Sequence, residues 1–272
     1  MPSNMKKSIK TWLLRIAIAI AMLITVGVGY FFYQKNISAT KIAFINYQEF
    51  QLSRINKSNT SPWVKVKSVD LEQLDNIRDY AAVFIFGRGF QMSPDQMQTL
   101  QNAGYAGVNL FVEAATNPNV DVTNLKGQDL DYITDYFNYG GTNNYASLLS
   151  YVRKELDGKT WFTQEPEAPK SIPRDVYIHL EEDAIFEDFV TYNSYLQENG
   201  FHKPDQPKIA LLTSVPGPFN ANRDHIDALI SMLQDRNLNV YTITAATKRL
   251  EFLQQVDPDL VILMPHGRIT LG

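Results

Sequence analysis

The sequence holds few residues suited to catalysis or metal binding. Cysteine is absent, which excludes disulfides, thiolate metal sites and cysteine nucleophiles. The four histidines are His179, His202, His225 and His266, and none stands in an HExxH or comparable metal-ligand spacing. His266 is the most suggestive, because Pro265-His266-Gly267-Arg268 follows an apolar strand pattern. A neutral imidazole there can approach a metal while the neighbouring guanidinium pairs with a carboxylate of the same ligand. His179 precedes Glu181, Glu182 and Asp183. His179 and Glu182 would offer a metal one nitrogen and one carboxylate, although three acids before a helix serve equally well as first-turn charges. Phe219 follows Pro216-Gly217-Pro218 and presents an aromatic face to the same edge as His266. Arg88, Arg223, Lys248, Arg249 and Arg268 all fall in or beside loops after predicted strands, where cations can clamp carboxylates.

The elements that must position these residues follow from apolar periodicity. Ile209–Thr213 reads as a buried strand, and the Pro-Gly-Pro turn after it is followed by a helix with Ile226, Leu229, Ile230 and Leu233 on one face. Two more strands, Asn239–Ile243 and Leu260–Met264, complete a parallel α/β pattern. Ligands bind such sheets beyond the carboxyl ends of the strands. That rule brings Phe219, His266 and Arg268 to one edge.

An earlier α/β region is predicted from the strands Lys41–Asn46, Val64–Val69, Ala81–Phe86 and Val108–Val112. Ser93-Pro94-Asp95-Gln96 marks a helix start by its cap, its first-turn proline and its capping-box glutamine. Gly87-Arg88-Gly89 follows a strand, yet Met92 occupies the place of the third glycine in a dinucleotide-binding loop, so a tight turn accounts for the pair. Tyr136 to Tyr145 crowds aromatic and amide groups around Gly140-Gly141, and a helical stripe of Leu148, Leu149, Val152 and Leu156 follows. A short strand, Asp175–Ile178, and a helix over Ala184–Asn199 open the second region.

Trp12 to Tyr33 carries Arg15 as its sole charge, and about 20 apolar residues span a bilayer. Residues 1–11 are then a basic cytoplasmic tail, 12–33 an uncleaved single-pass anchor and 34–40 a linker. The first α/β domain is 41–160, a Pro-rich linker is 161–173, and the second α/β domain is 174–272. The expected fold class is thus α/β, a transmembrane helix followed by two parallel-sheet, flavodoxin-like regions, the second incomplete. Lys6, Lys7, Lys10 and Arg15, ahead of the uninterrupted apolar run that starts at Ile16, place the N-terminus in the cytoplasm and the body on the periplasmic or outer side. The rest of the chain holds 21 basic against 29 acidic residues, which argues against a nucleic-acid partner.

The segment YFNYGGTNNYASLLSYVRKEL resembles the aromatic–Gly-Gly–Asn–helix block of the CobN and magnesium-chelatase H-subunit family, the large tetrapyrrole-binding chelatase subunits. YIHLEEDAIF, KIALLTSVPGPFNANRDHIDALISMLQDRNLNVYTI and DPDLVILMPHGRI are similar to the blocks that follow it there. The resemblance marks Gly140, Gly141 and Asn144, then His179 and Glu182, then His266. It implies a tetrapyrrole ligand, a corrinoid precursor or haem, and a metal ion, cobalt, iron or magnesium. It also implies chelatase partner subunits and a ligase reaction that forms nitrogen–metal bonds. Members of the family are several times longer, so residues 1–272 are expected to be an N-terminal portion, inactive alone, with the catalytic residues downstream. ATP would enter only through partner subunits, which an anchored body outside the cytoplasm would not meet. The membrane-anchored HmuS-type branch, associated with releasing iron from haem, resembles that arrangement more closely. A non-catalytic module that binds a tetrapyrrole or a partner is the third expectation.

Overall fold

The structure, a computed structural model, describes residues 3–171, 173–180, 184–213 and 224–264. Helix α1, Ser3–Asn36, contains the apolar stretch and is not buried against the rest of the protein. It continues through residues expected to be a tail and a linker, because nothing in Ser3–Lys10 or Gln34–Asn36 breaks a helix. Its apolar part, Trp12–Asn36, has 25 residues and extends about 37 Å at 1.5 Å per residue, enough to cross a hydrocarbon core of about 30 Å.

The first sheet contains β1 (Thr40–Ile45), β2 (Val64–Ser68), β3 (Ala82–Phe86) and β4 (Asn109–Glu113) in the order β2-β1-β3-β4. All pairs are parallel, with Thr40 opposite Val64, Ile42 opposite Ala82 and Ala82 opposite Asn109. This order is that of a flavodoxin-like sheet. Alternate residues point to opposite faces. Ile42, Phe44, Phe84 and Phe111 pack against helices α2 (Glu49–Lys57), α4 (Gly127–Tyr139) and α5 (Thr142–Tyr151), while Ala43, Ile45, Val83, Ile85 and Leu110 pack against α3 (Pro94–Tyr105). Helices on both faces explain why β1, β3 and β4 read as nearly continuous apolar runs, while the edge strand β2 alternates Val and Lys. Helix α3 starts as expected. Ser93 Oγ accepts from Gln96 N at 3.2 Å, and Gln96 Oε1 accepts from Ser93 N at 2.9 Å.

The amino ends of these strands meet at Arg153, in a π-helical turn, Val152–Leu156, that continues α5. Arg153 is fully buried. Its guanidinium donates to the carbonyls of Ile37 (3.0 Å), Ser38 (3.0 Å), Trp63 (3.2 Å) and Trp161 (2.9 Å) and to the hydroxyls of Thr40 (3.1 Å) and Thr163 (2.9 Å). Thr40 donates in turn to Asp157 at 2.6 Å, and Lys159 pairs with the same carboxylate at 2.9 Å. Burial lowers the Arg153 pKa and the Asp157 charge opposes that shift, but guanidinium remains charged at physiological pH. The cation is therefore held by its acceptors and the nearby anion, and it ties α1, β1, the approach to β2 and the linker to one point.

The second sheet has the order β6-β5-β8-β7-β9. Its strands are β5 (Val176–Ile178), β6 (Ile185–Phe186), β7 (Lys208–Leu212), β8 (Asn239–Thr244) and β9 (Leu260–Leu263), and its helices are α6 (Phe189–Glu198), α7 (Asp224–Gln234) and α8 (Arg249–Val256). Strands β7, β8 and β9 are parallel, as expected, but β5 runs antiparallel to β8 and β6 antiparallel to β5, so the sheet is mixed. Parallel neighbours need a crossover of about a dozen residues, and the short stretch between β5 and β6 leaves no room for one. Helix α6 begins at Phe189 rather than Ala184, because Asp188 caps it by accepting from Thr191 N at 2.8 Å.

Replacing Arg153 with Met would leave these oxygens without their donor. The loss of unfolding free energy in detergent is expected to be on the order of 3–5 kcal/mol. Arg153→Lys, which keeps the charge but not the fork, should recover only part of it. A change in Arg153→Met within about 0.5 kcal/mol, the usual range for a surface substitution, would contradict the clamp.

Candidate functional site

The carboxyl edge of the first sheet holds a cavity of about 240 Å³ lined by Tyr47, Gln51, Phe86, Arg88, Glu113 and Tyr145, with Ile55, Ala114 and Phe137 completing the wall. Tyr47 follows β1, Arg88 follows β3 and Glu113 ends β4, so three strand ends contribute polar groups. The rim is cross-linked. Asn46, at φ 62°, donates to Phe86 O at 2.8 Å, Gly87 N donates to Glu113 O at 2.7 Å, and Gly89 N donates to Thr116 Oγ1 at 3.0 Å. Gly87 is required by packing, since a Cβ there would lie 2.8 Å from Val112 Cγ1 and 2.9 Å from Ala115 Cα. The Gly-Arg-Gly turn therefore brings the β3 and β4 loops together and leaves Arg88 exposed at the mouth.

Inside, Tyr47 donates its hydroxyl to Glu113 Oε2 at 2.7 Å. Burial raises the Glu113 pKa and the Tyr47 hydrogen bond opposes it, while burial and then the Glu113 charge push Tyr47 well above an ordinary phenol. A half-buried carboxyl that holds its proton to higher pH can donate as well as accept a hydrogen bond. Phe86 and Phe137 flank Tyr47 with ring centroids at 5.8 and 6.0 Å. The chamber thus offers aromatic walls, a phenol–carboxyl pair and an exposed guanidinium, a combination suited to a partly apolar ligand bearing a carboxylate.

Gly140 and Gly141 separate α4 from α5 with φ/ψ of 62°/−162° and 85°/161°, a region open essentially to glycine alone. The reversal presents Phe137 of α4 and Tyr145 of α5 to the cavity. The Asn144 side chain is fully occupied. It donates to Gly140 O at 2.7 Å and Lys170 O at 2.9 Å and accepts from Lys170 N at 2.9 Å. Tyr136 donates to Glu167 O, so the joint also straps the linker. This double duty accounts for the crowding of aromatics and amides around one turn.

His179 lies in the core of the second region. Its ring packs against Phe201 at 4.3 Å and Tyr195 at 5.5 Å, and its Nε2 is 2.9 Å from the Gln234 amide nitrogen. That nitrogen accepts from the amide and is not presented to an incoming metal. Among the described residues no three or more His, Asp and Glu gather in a metal-binding cluster. Glu182, Phe219, Arg223, His266 and Arg268 lie outside the described residues. At the carboxyl edge of the second sheet, Arg249 is buried and its Nε donates to Ala245 O at 2.5 Å, while Lys248 is exposed. Asp175 holds the β8–α8 loop through Thr247 N (2.7 Å), Thr247 Oγ1 (2.7 Å) and Lys248 N (3.1 Å). Desolvation raises its pKa, but the hydrogen bonds from Thr247, Lys248 and Ala246 outweigh that and the net shift is downward.

Sequence reasoning picked Arg88 but missed Tyr47, Glu113, Phe137 and Tyr145. The signal was present, since the strand-end rule applied to the second sheet selects Glu113, directly after Leu110-Phe111-Val112, when applied to the first.

Two α/β sheets, the first with polar strand ends around an aromatic-walled cavity, define an α/β protein with a candidate ligand edge. A family model described as CobN/Magnesium Chelatase matches residues 134–271, just over half of the chain, and the chain belongs to that family. The match begins within α4, takes in the Gly-Gly joint and runs through the second sheet. Among solved structures, the catalytic subunit of cobaltochelatase from Mycobacterium tuberculosis is similar over 83% of this chain, with a TM-score of 0.52 and 14% identity. At that identity the likeness concerns the fold, and this chain spans 18% of the length of that one. No curated protein sequence matches the chain.

A raised carboxyl pKa means that the folded state binds a proton the unfolded chain has released. Stability should then fall as pH rises from the ordinary carboxyl value through the raised one. Glu113→Gln keeps a group able to accept from Tyr47 and removes the charge, so its stability should lose that slope. Thermal melts in detergent at stepped pH check this, and an unchanged slope would mean that Glu113 does not cause it.

Proposed function

We propose that this chain is the membrane-anchored, tetrapyrrole-binding part of a chelatase of its family, handling a corrinoid precursor or haem during metal insertion or removal. The observation that carries the reading is the family match from residue 134 to 271, which includes the Gly-Gly joint and the stretch containing Phe219, His266 and Arg268. A tetrapyrrole presents an apolar macrocycle, peripheral carboxylates and a central metal, which is substrate here and not a resident cofactor. Phe219 and the neighbouring prolines cover the macrocycle, Arg268 pairs with a carboxylate, and His266 meets the metal as a neutral imidazole. The first-sheet cavity, at about 240 Å³, is below the roughly 300–1,000 Å³ of typical ligand pockets. It therefore takes a ligand smaller than a tetrapyrrole, and the macrocycle is assigned to the second edge.

Haem handling at the cell envelope is favoured over ATP-driven cobalt insertion by one observation. A 25-residue apolar helix stretch that the body leaves unburied stands directly before the first sheet, and Lys6, Lys7 and Lys10 lie ahead of it. The body then faces a compartment without ATP, and partner ATPase subunits would not reach it.

Spectral titration of the full chain in detergent with haem, and separately with a metal-free corrinoid, tests the reading. Binding of one or both is expected. Arg268→Ala should weaken it by about 1.5–3 kcal/mol, as for a lost charged hydrogen bond, and His266→Ala should shift the absorption of bound haem. Absence of binding by either ligand would overturn the assignment, and unchanged affinity and spectrum in both variants would remove these residues from the site.

A further inference from the structure

Trp161 and Phe162 stand out from the body beside the last turns of α1, with exposures of 51% and 61%. Trp161 meets Phe32 of α1 edge-on with ring centroids 5.7 Å apart, and Phe162 stacks on Trp63 at 5.3 Å. Phe162 sits at φ 57°, a left-handed conformation that is unfavourable for a bulky side chain. Its neighbours impose it. Trp161 O accepts from Arg153 Nη2 at 2.9 Å, Thr163 Oγ1 accepts from Arg153 Nε at 2.9 Å, and the Thr163 hydroxyl donates to Lys159 O at 2.5 Å. The turn is rigid, and it holds two large aromatic rings outward at the cost of backbone strain.

Depth along α1 suggests what they meet. From Trp12 to Phe32 the helix rises about 30 Å, the thickness of a hydrocarbon core. Phe32 therefore lies at the far interface when Trp12 lies at the near one, and Trp161, in contact with Phe32, lies at the same level. Tyr30, Phe31, Phe32 and Tyr33 form an exposed aromatic collar there, and aromatic residues favour the headgroup level. The body rings extend that collar.

Resting on the anchored reading above, we propose that Trp161 and Phe162 insert into the bilayer interface and seat the amino edge of the first sheet on the lipid surface. The occupant is lipid. The opposite edge, with the Tyr47–Glu113 cavity, then remains open to water and to soluble ligand.

The test uses the full chain in phosphatidylcholine–phosphatidylglycerol vesicles, with Trp12→Phe and Trp63→Phe leaving Trp161 as the single remaining tryptophan. Trp63→Tyr replaces Trp63→Phe if the latter lowers the melting temperature. Trp161 emission should be quenched by lipids brominated close to the headgroup more than by lipids brominated near the bilayer centre, and should be sheltered from aqueous iodide. Quenching by iodide with no effect of brominated lipid, in protein that survives an alkaline carbonate wash, would overturn the docking while leaving the anchor standing. Shelter from both quenchers would mean that protein covers the rings and would equally overturn it. Release of the protein by the wash would overturn the anchor and the docking together.

Discussion

The structure depends on the burial of one cation. Arg153 sits where the amino ends of the first sheet, the end of α1 and the Pro-rich linker converge, and its planar fork reaches acceptors from all of them. A buried guanidinium is costly unless its donors are satisfied, and here the cost is offset by six oxygen acceptors and by Asp157 two steps away through Thr40. The arrangement also ends α1. Two carbonyls just beyond the helix, Ile37 and Ser38, find their donor in Arg153 instead of water. A helix that would otherwise swing on a loop is thereby joined to a sheet.

From that point the fold acquires two poles. At the amino pole lie the clamp, the apolar helix and the exposed Trp161–Phe162 turn. At the carboxyl pole lie Tyr47, Arg88 and Glu113 with the aromatic walls of their cavity. Helix α5 links the two, since it starts at the Gly140-Gly141 reversal that places Tyr145 and runs into the turn that places Arg153. Asn144, near its start, binds the linker that Arg153 also binds further back along the chain. The block around Gly140-Gly141, which the family match takes in, therefore spans the structural link between the clamp beside α1 and the cavity edge of this region.

Much of this was legible in the sequence. The eight predicted strands are all present with ends shifted by one residue or so, because short stretches rich in β-branched and aromatic residues between turn signals leave a strong local signal. The Ser93 capping box was equally plain, being a matter of neighbouring residues. What escaped was long-range. Arg153, between Val152 and Lys154, reads as one more surface cation on a helix, and only the π-helical turn brings it inward. Tyr47 and Glu113 are separated by 66 positions, and their pairing follows from strand order rather than from either neighbourhood. The antiparallel β5 and the two-residue β6 carry too little sequence to announce a direction. His179 could be read toward a metal or the core, and the described structure packs it among Tyr195, Phe201 and Gln234.

Arg153 makes the apolar helix and the first sheet one unit, with the cavity edge on the side of the sheet away from the helix. A direct test is the spin-label distance distribution between Lys35, at the end of α1, and Arg88, at the mouth of the cavity, both exposed. The labels would be attached through Lys35→Cys and Arg88→Cys in the full chain reconstituted in lipid nanodiscs. A single narrow distribution is expected, broadening when Arg153→Met is added. A distribution already broad with Arg153 in place, and unchanged without it, would contradict the account.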